Sequence, residues 1–185
     1  PCGFNLTVID DREEFVEAER FPEGTSVAFG DIKQLVADFP KGPNAYIVLV
    51  SKGHVLDALA LEACIHDDVR FLGMIGSQRK IHALKKHFLE DGLATEDEWK
   101  RIVSPIGYDI GAITVAEIGV SIVAQLIAAR DDILRARYHL EIPLMNCAAV
   151  VLAAGNSTRM QRPKVLLPFN GVTVIEHIVN TIAQS

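Results

Sequence analysis

The sequence has few cysteines, no long apolar run and no cluster of basic residues. Its three cysteines, Cys2, Cys64 and Cys147, are far apart and form no C-x-x-C pair. This spacing argues against a disulfide scaffold or a structural zinc site and favours a reducing, cytoplasmic environment. No apolar stretch reaches the roughly 18 to 20 residues of a membrane helix, and no signal peptide opens the chain. We therefore expect no association with a membrane.

The charge balance also excludes a class of partner. The net charge is -6 and the pI is about 5.5, so we expect no general nucleic-acid binding. With 49% hydrophobic and 23% charged residues, the 185-residue chain can bury a sizeable core. It opens on Pro1 and enters a strand almost at once, so we expect it to begin inside a fold.

Strands and helices alternate along residues 1–137. The apolar run 45–50 is continuous rather than alternating, which predicts a central strand with helices on both faces. Further strands are predicted at 4–10, 26–31 and 69–76, each followed by a segment with helical spacing, the first of them over residues 11–18. Ser77 is placed to cap a helix, and Thr95 with Glu98 and Thr114 with Glu117 form capping boxes.

These elements predict an α/β fold, a Rossmann-like parallel sheet with helices on both faces. We expect this domain over residues 1–137, a linker over 138–146, and the first β-α unit of a second α/β domain over 147–185, where a new strand starts at Cys147. The long helix before the linker is expected to end near Arg137.

Asp10 closes the first predicted strand. In dinucleotide-binding sheets an acidic residue at this place binds a ribose hydroxyl, about 20 residues after a glycine fingerprint. That fingerprint would fall before residue 1, so NAD(P) binding and an ordinary aspartate in a turn remain equal alternatives for Asp10.

A second candidate site follows the strand at 69–76. Gly73 and Gly76 lie at its end, and the helix that starts after Ser77 offers exposed N–H groups and its dipole to an anion. Arg79 and Lys80 add positive charge. The alternative is a common strand-to-helix turn with a solvated basic first turn.

Two more polar positions follow predicted strands. His54 lies after the central strand with Asp57 one helical turn beyond it, and this pair is placed either to face a ligand crevice or to start a capped helix. Asp109, between Gly107 and Gly111, suits a ligand-facing loop or a tight crossover.

A glycine loop follows the strand that starts at Cys147. Ala153, Ala154 and Gly155 leave the backbone open to phosphate oxygens, and Arg159 and Lys164 can neutralise a triphosphate. The spacing is neither a Walker loop nor G-x-G-x-x-G. The alternative is a surface turn with scattered basic residues.

The stretch "LAAGNSTRMQRPKVLLPFNG" resembles the start of the MobA-like nucleotidyltransferases, departing from their pattern at Gln161. The resemblance implies nucleotide binding by the loop, including Asn156 and Ser157, and grip of the triphosphate of CTP or GTP by Arg159 and Lys164. It also implies Mg²⁺ bridging the phosphates. The acidic residues that would hold the ion lie downstream of this chain, so no metal site is predicted within it.

Residues 1–137 resemble the Rossmann domain of the XdhC/CoxI family, maturation factors of molybdenum hydroxylases. The matching stretches are "VIDDREEF", "SKGHVLD", "FLGMIGSQRK" and "SPIGYDIGAITVAEIGVSIVAQLIAAR". The resemblance implies binding of the molybdenum cofactor (molybdopterin) by residues of these stretches, among them Asp10 and Asp11. It also implies a hydroxylase apoenzyme as partner.

Together the two resemblances imply maturation of the molybdenum cofactor for a xanthine dehydrogenase-type hydroxylase. The complete parent protein would transfer CMP or GMP to molybdopterin and release pyrophosphate, whereas this chain stops too early to catalyse that step. The alternatives are a non-catalytic cofactor-delivery chaperone and an NAD(P)-binding, oxidoreductase-like protein. We also expect a homo-oligomer.

Overall fold

The computed structural model describes residues 3–51, 54–135, 147–152, 168–169 and 172–173. The strands are β1 (Phe4–Asp10), β2 (Ser26–Phe29), β3 (Ala45–Leu49), β4 (Phe71–Met74), β5 (Ile102–Val103), β6 (Cys147–Leu152), β7 (Pro168–Phe169) and β8 (Val172–Thr173). The helices are α1 (Ile32–Asp38), α2 (His54–Glu62), α3 (Gln78–Glu90), α4 (Glu96–Lys100) and α5 (Val115–Arg135).

Six strands form one parallel sheet in the order β2-β1-β6-β3-β4-β5. The predicted fold class is confirmed, because a parallel sheet covered by helices on both faces is the Rossmann-like arrangement. Strands β7 and β8 pair antiparallel in a separate two-stranded sheet.

Strand β3 is central, as its continuous apolar run predicts. Ala45, Ile47 and Leu49 contribute to the core on the side of α1 to α4. Tyr46 and Val48 contribute to the core beneath α5. Successive residues of a strand point to opposite faces of the sheet. Because both faces are covered here, the residues on each face are apolar and the strand shows no alternation of polar and apolar residues.

The predicted helix starts are confirmed. The side chain of Ser77 accepts a hydrogen bond from the N–H of Lys80 at 3.3 Å. Thr95 and Glu98 form a reciprocal capping box, and the N–H of Thr114 donates to the Glu117 carboxylate at 2.7 Å. Each cap satisfies N–H groups that a helix start leaves without intrahelical partners.

The segment 11–18 differs from its prediction. It contains a short 3₁₀ turn, Glu13–Phe15, and the start of a second, Ala18–Arg20, instead of an α-helix. The backbone N–H and the side chain of Arg12 donate hydrogen bonds to the Asp10 carboxylate. These bonds hold Arg12 close to the end of β1, and the backbone that follows does not form an α-helix.

Strand β6 occupies an unexpected place. The sequence predicts a strand from Cys147 as the start of a second unit, and the structure has the strand but pairs it with β1 and β3 in the first sheet. The predicted linker 138–146 and the helix end near Arg137 lie outside the described residues. Within the described part of the chain, no helix combines the length and apolarity needed to cross a bilayer.

Candidate functional site

The carboxyl ends of β1, β6 and β3 meet at one edge of the sheet. They end at Asp10, Leu152 and Leu49, and we call this edge the switch edge. From it β1 connects to β2 on one side, whereas β3 connects to β4 on the other. Parallel α/β sheets bind ligands where the strand order reverses in this way, so the switch edge is a candidate ligand-binding edge.

Asp10 is buried at the switch edge, with 1% of its surface exposed. Its Oδ1 accepts hydrogen bonds from the Arg12 N–H at 3.0 Å and Nε at 2.8 Å. Its Oδ2 accepts from the second guanidinium arm of Arg12 at 2.8 Å. Burial raises the pKa of Asp10, and the Arg12 contacts oppose that rise. Asp11 is more exposed and lies 3.9 Å from the same guanidinium.

A second polar group joins two crossover connections. Ser51, directly after β3 and its buried neighbour Val50, donates a hydrogen bond to the fully buried Asp57 on α2. Lys80 on α3 donates to the other carboxylate oxygen of Asp57. The side chain of Lys80 remains 23% exposed, so its ammonium lies between the buried carboxylate and solvent. Asp57 therefore orients a cation at the start of α3.

The start of α3 is the described part of the site that best suits an anion. Arg79 is exposed in the first turn, and the first turn of a helix carries N–H groups without intrahelical partners. Gly76 approaches the side chains of Lys80 and Ile81. Gly73 has a packing role, because a Cβ there would lie 2.5 Å from the Ile106 side chain.

A cleft of about 810 Å³ opens beside this turn, between α2 and α3. Ser77, Arg79 and Lys80 lie among its lining residues, and the apolar side chains of Leu59, Leu84 and Phe88 are others. One end of the cleft therefore carries cationic side chains and the N–H groups of the helix start, whereas its wall is apolar.

Asp109 lies apart from these groups. It is exposed on the loop after β5, four strand positions from β1, and its Oδ1 accepts the N–H of Gly111 at 3.3 Å. Gly107 begins this loop at a φ of +99°, and its N–H donates to the Gln125 side chain at 2.7 Å. The structure brings Ser77 and Lys80 together but does not place Asp109 beside Asp10.

Several predicted residues lie beyond what the structure describes. His54 is the first residue of α2, but its side chain is outside the described part. The predicted phosphate loop, with Arg159 and Lys164, also lies outside the described residues, as does the backbone of its nucleotide-binding positions (Ala153, Ala154, Gly155, Asn156 and Ser157). Leu152, one residue before them in sequence, ends β6 at the switch edge.

Sequence reasoning missed Arg12 and Ser51 and gave Asp57 a different partner. Arg12 is two residues from Asp10, a spacing that could have suggested a local ion pair. No sequence signal links Asp57 to Lys80, 23 positions away. Among the described residues, no group of three His, Cys, Asp or Glu side chains is placed to hold a metal ion.

Comparison with known proteins bears on both parts of the chain. Residues 1–126 match the family model of the XdhC Rossmann domain, and residues 149–185 match that of the MobA-like NTP transferase domain. Over 131 residues, 70% of this chain, the sequence is 28% identical to YqeB of Escherichia coli K12, described as uncharacterized. Over 71% of its own length, this chain is also 24% identical to a protein of Bacillus subtilis described as a probable subunit of xanthine dehydrogenase.

A crystal structure described as a xanthine dehydrogenase from Bacillus halodurans matches 76% of this chain, with a TM-score of 0.57 and 25% identity. The chain spans only part of these relatives: 24% of YqeB, 37% of the Bacillus subtilis protein and 39% of the crystallised chain. Residues 149–185 are similar to the MobA-like NTP transferase domain. Because the first family model covers well over half of the 185 residues, the chain belongs to the XdhC Rossmann domain family.

Proposed function

We propose that this chain belongs to a maturation factor for the molybdenum cofactor of a xanthine dehydrogenase-type hydroxylase. Its Rossmann-like part binds molybdopterin beside the switch edge. Its transferase segment, where a complete domain continues it, transfers CMP or GMP from CTP or GTP to the cofactor. The apoenzyme of the hydroxylase is the partner that receives the product, and the reaction takes place in the cytoplasm.

The single observation that carries this proposal is the parallel pairing of β6 between β1 and β3. The strand that leads into the transferase segment thereby ends at the same edge as Asp10 and Leu49. We infer that a pterin site beside this edge and a nucleotide site directly after Leu152 would be close enough for a group transfer between their ligands.

The described residues fit the chemistry of molybdopterin, a fused ring system with a terminal phosphate. Arg79 and the first N–H groups of α3 would hold the phosphate, and the apolar wall of the cleft would contact the rings. Lys80 would add its charge while Asp57 keeps it oriented. The cofactor would supply the dithiolene that binds molybdenum, and this chain's residues would bind and orient it.

The transfer itself is proposed for the residues after β6. An oxygen of the molybdopterin phosphate attacks the α-phosphorus of the nucleotide, the bond between the α- and β-phosphates breaks, and pyrophosphate leaves. Arg159 and Lys164 neutralise the charge that develops on the leaving group, and the N–H groups of residues 153–157 bind the phosphates. Mg²⁺ with CTP or GTP would supply further charge neutralisation.

Two alternative functions differ in what supports them. Delivery of the cofactor without transfer requires the same pterin site. Only an assay of pyrophosphate release distinguishes delivery from transfer. NAD(P) binding would use Asp10 for a ribose hydroxyl, but Arg12 already contacts both carboxylate oxygens and Asp10 is buried. That geometry gives the NAD(P) alternative less support.

The pterin site is tested by anaerobic equilibrium dialysis of the chain against molybdopterin. Arg79→Ala should weaken retention about tenfold, since one charge-assisted contact is lost. Lys86→Ala, which removes an exposed cation from a later turn of the same helix, is the matched control and should bind as the wild type does. Absence of binding by the wild type, or equal losses in both variants, overturns the pterin site.

Transfer is tested in a protein in which a complete transferase domain continues residues 149–185. With molybdopterin, Mg²⁺ and CTP or GTP, it should release pyrophosphate, and Lys164→Ala should abolish this release. Pterin binding that persists without pyrophosphate release supports the delivery chaperone instead.

A further inference from the structure

The cleft between α2 and α3 is lined by one stripe of side chains from each helix. Within each stripe the residues follow one another at intervals of four and three positions, so they lie on one face of their helix. The stripes include Val55, Leu59 and Glu62 on α2 and Lys80, Leu84 and His87 on α3. Because Glu62 and His87 are polar, the cleft has polar side chains beyond its apolar wall as well as at the start of α3.

The two helices run side by side in the same direction. Both follow strands of one parallel sheet, and both contribute to the core on the same face of that sheet. Asp57 in the first turn of α2 contacts Lys80 in the first turn of α3, so the two helix starts are adjacent. At 1.5 Å per residue, Glu62 and His87 lie about 7 and about 10 Å along their helices from that contact. They therefore mark the opposite end of the cleft from Arg79.

Glu62 places a carboxylate at this far end. Its Oε1 accepts a hydrogen bond from the ammonium of Lys33 on α1 at 2.6 Å, and 34% of the Glu62 side chain is exposed. A carboxylate oxygen can accept two hydrogen bonds, so Glu62 can accept from a ligand while Oε1 keeps its bond from Lys33. A ligand in the cleft thus meets cations at one end and an anionic hydrogen-bond acceptor at the other.

We propose that Glu62 recognises the 2-amino-4-oxopyrimidine edge of a pterin whose phosphate lies at the start of α3. This edge presents a ring N–H and an amino group side by side, and a carboxylate accepts from both as it does from a guanidinium. Molybdopterin, three fused rings with a phosphate arm, is long enough to reach both ends of the 810 Å³ cleft. The inference rests on the proposed function and names the residue that selects the ring.

Two phosphorylated probes that differ only at ring position 2 test this recognition. The pterin probe, 6-hydroxymethylpterin phosphate, carries the amino group, whereas the corresponding lumazine phosphate carries an oxygen that would face the Glu62 carboxylate. In equilibrium dialysis at neutral pH, the wild-type chain should bind the pterin probe about tenfold more tightly than the lumazine probe. Glu62→Gln should reduce this ratio to about one, because a glutamine amide donates to the oxygen as readily as it accepts from the amino group.

Two control variants separate the role of Glu62 from that of the rest of the cleft. Glu90→Gln makes the same chemical change at an exposed position of α3 that does not line the cleft, and it should keep the wild-type ratio. Arg79→Ala should weaken the binding of both probes to the same extent, because both carry the phosphate.

The outcomes distinguish this inference from the proposed function. If the wild type binds both probes equally, or if Glu62→Gln leaves the ratio unchanged, the inference is wrong, while retention of molybdopterin still supports the pterin site. Retention of molybdopterin without either probe has the same meaning. A wild type that does not bind molybdopterin overturns the pterin site and the inference together. GMP carries the same edge on guanine, and tighter binding of GMP than of the pterin probe would assign the cleft to a guanine nucleotide instead.

Discussion

Arg12 donates hydrogen bonds of 2.8 Å to both carboxylate oxygens of Asp10, where strand β1 ends. The pair is largely buried, with 17% of the Arg12 side chain and 1% of the Asp10 side chain exposed. Removing one partner of a buried ion pair costs more than removing both, because the remaining charge keeps its desolvation penalty. The pair therefore stabilises the sheet edge from which the candidate site is built.

Arg12→Met should lower the free energy of unfolding by about 2–4 kcal/mol at neutral pH. The double variant Arg12→Met with Asp10→Asn should recover most of this loss, because no buried carboxylate remains. Urea unfolding of the three proteins measures both effects. Arg20→Met, which removes an arginine 3.8 Å from Glu17, should cost less than about 1 kcal/mol. A double variant no more stable than Arg12→Met would contradict the pairing.

The same pair predicts a pH dependence. Burial raises the pKa of Asp10 above its ordinary value of 3.8, so its contribution to stability is present below pH 3.8 and is lost as the pH rises through the folded-state pKa. Arg12→Met raises that pKa further. The stability difference between wild type and variant should therefore be small below pH 3.8 and grow as the pH rises. A difference that does not change with pH would exclude the mechanism.

Glu98 should act in the opposite direction. Hydrogen bonds from the Thr95 N–H, from His66 and from the Thr95 hydroxyl lower the pKa of Glu98 from 4.5 to about 2. Its contribution to stability is thus present above pH 4.5 and is lost as the pH falls towards 2. Glu98→Gln should remove this component in urea unfolding between pH 5 and pH 2. An acid profile that Glu98→Gln leaves unchanged would contradict this role of the Thr95 and His66 contacts.

The loop that carries Asp109 depends on the conformation of Gly107. Its φ of +99° is strained for any residue with a Cβ, and a Cβ there would lie 2.4 Å from the Ser121 hydroxyl. Gly107→Ala should cost about 1–3 kcal/mol in thermal or urea unfolding. Adding Ser121→Ala should recover only the part of this loss that comes from the clash with the Ser121 hydroxyl, because the strained φ remains. Gly42→Ala, which meets nothing within 4 Å, should range from no change to a gain of about 1 kcal/mol.

The contact between Lys80 and Asp57 makes a separate prediction. Lys80→Met removes the ammonium that contacts the fully buried Asp57 carboxylate and should destabilise the fold by about 2–4 kcal/mol, and Asp57→Asn in the same chain should restore most of the loss. Lys85→Met breaks the pair with Glu96, in which both side chains are over a third exposed, and should cost less than about 1 kcal/mol. Equal losses for Lys80→Met and Lys85→Met would show that Asp57 does not need its cation.

Local patterns predicted most of the elements. The continuous apolar run of β3 predicted a strand buried on both faces, and the Ser77 cap and both capping boxes predicted where α3, α4 and α5 begin. The two-residue strand β5 was missed, because so short a segment has no period to detect. Residues 11–18 were predicted as a helix, since spacing alone does not report the Arg12 contact with Asp10.

By itself the sequence determined most of the elements, their caps and the two family segments, because these depend on residues close together in the chain. Only the tertiary structure decided that β6 lies between β1 and β3 and that Lys80 is paired with Asp57. A hydrophobic pattern reports which faces of a strand are buried but not which strand lies beside it. Neighbours far apart in sequence are selected by the free energy of the whole sheet, which no single stretch encodes.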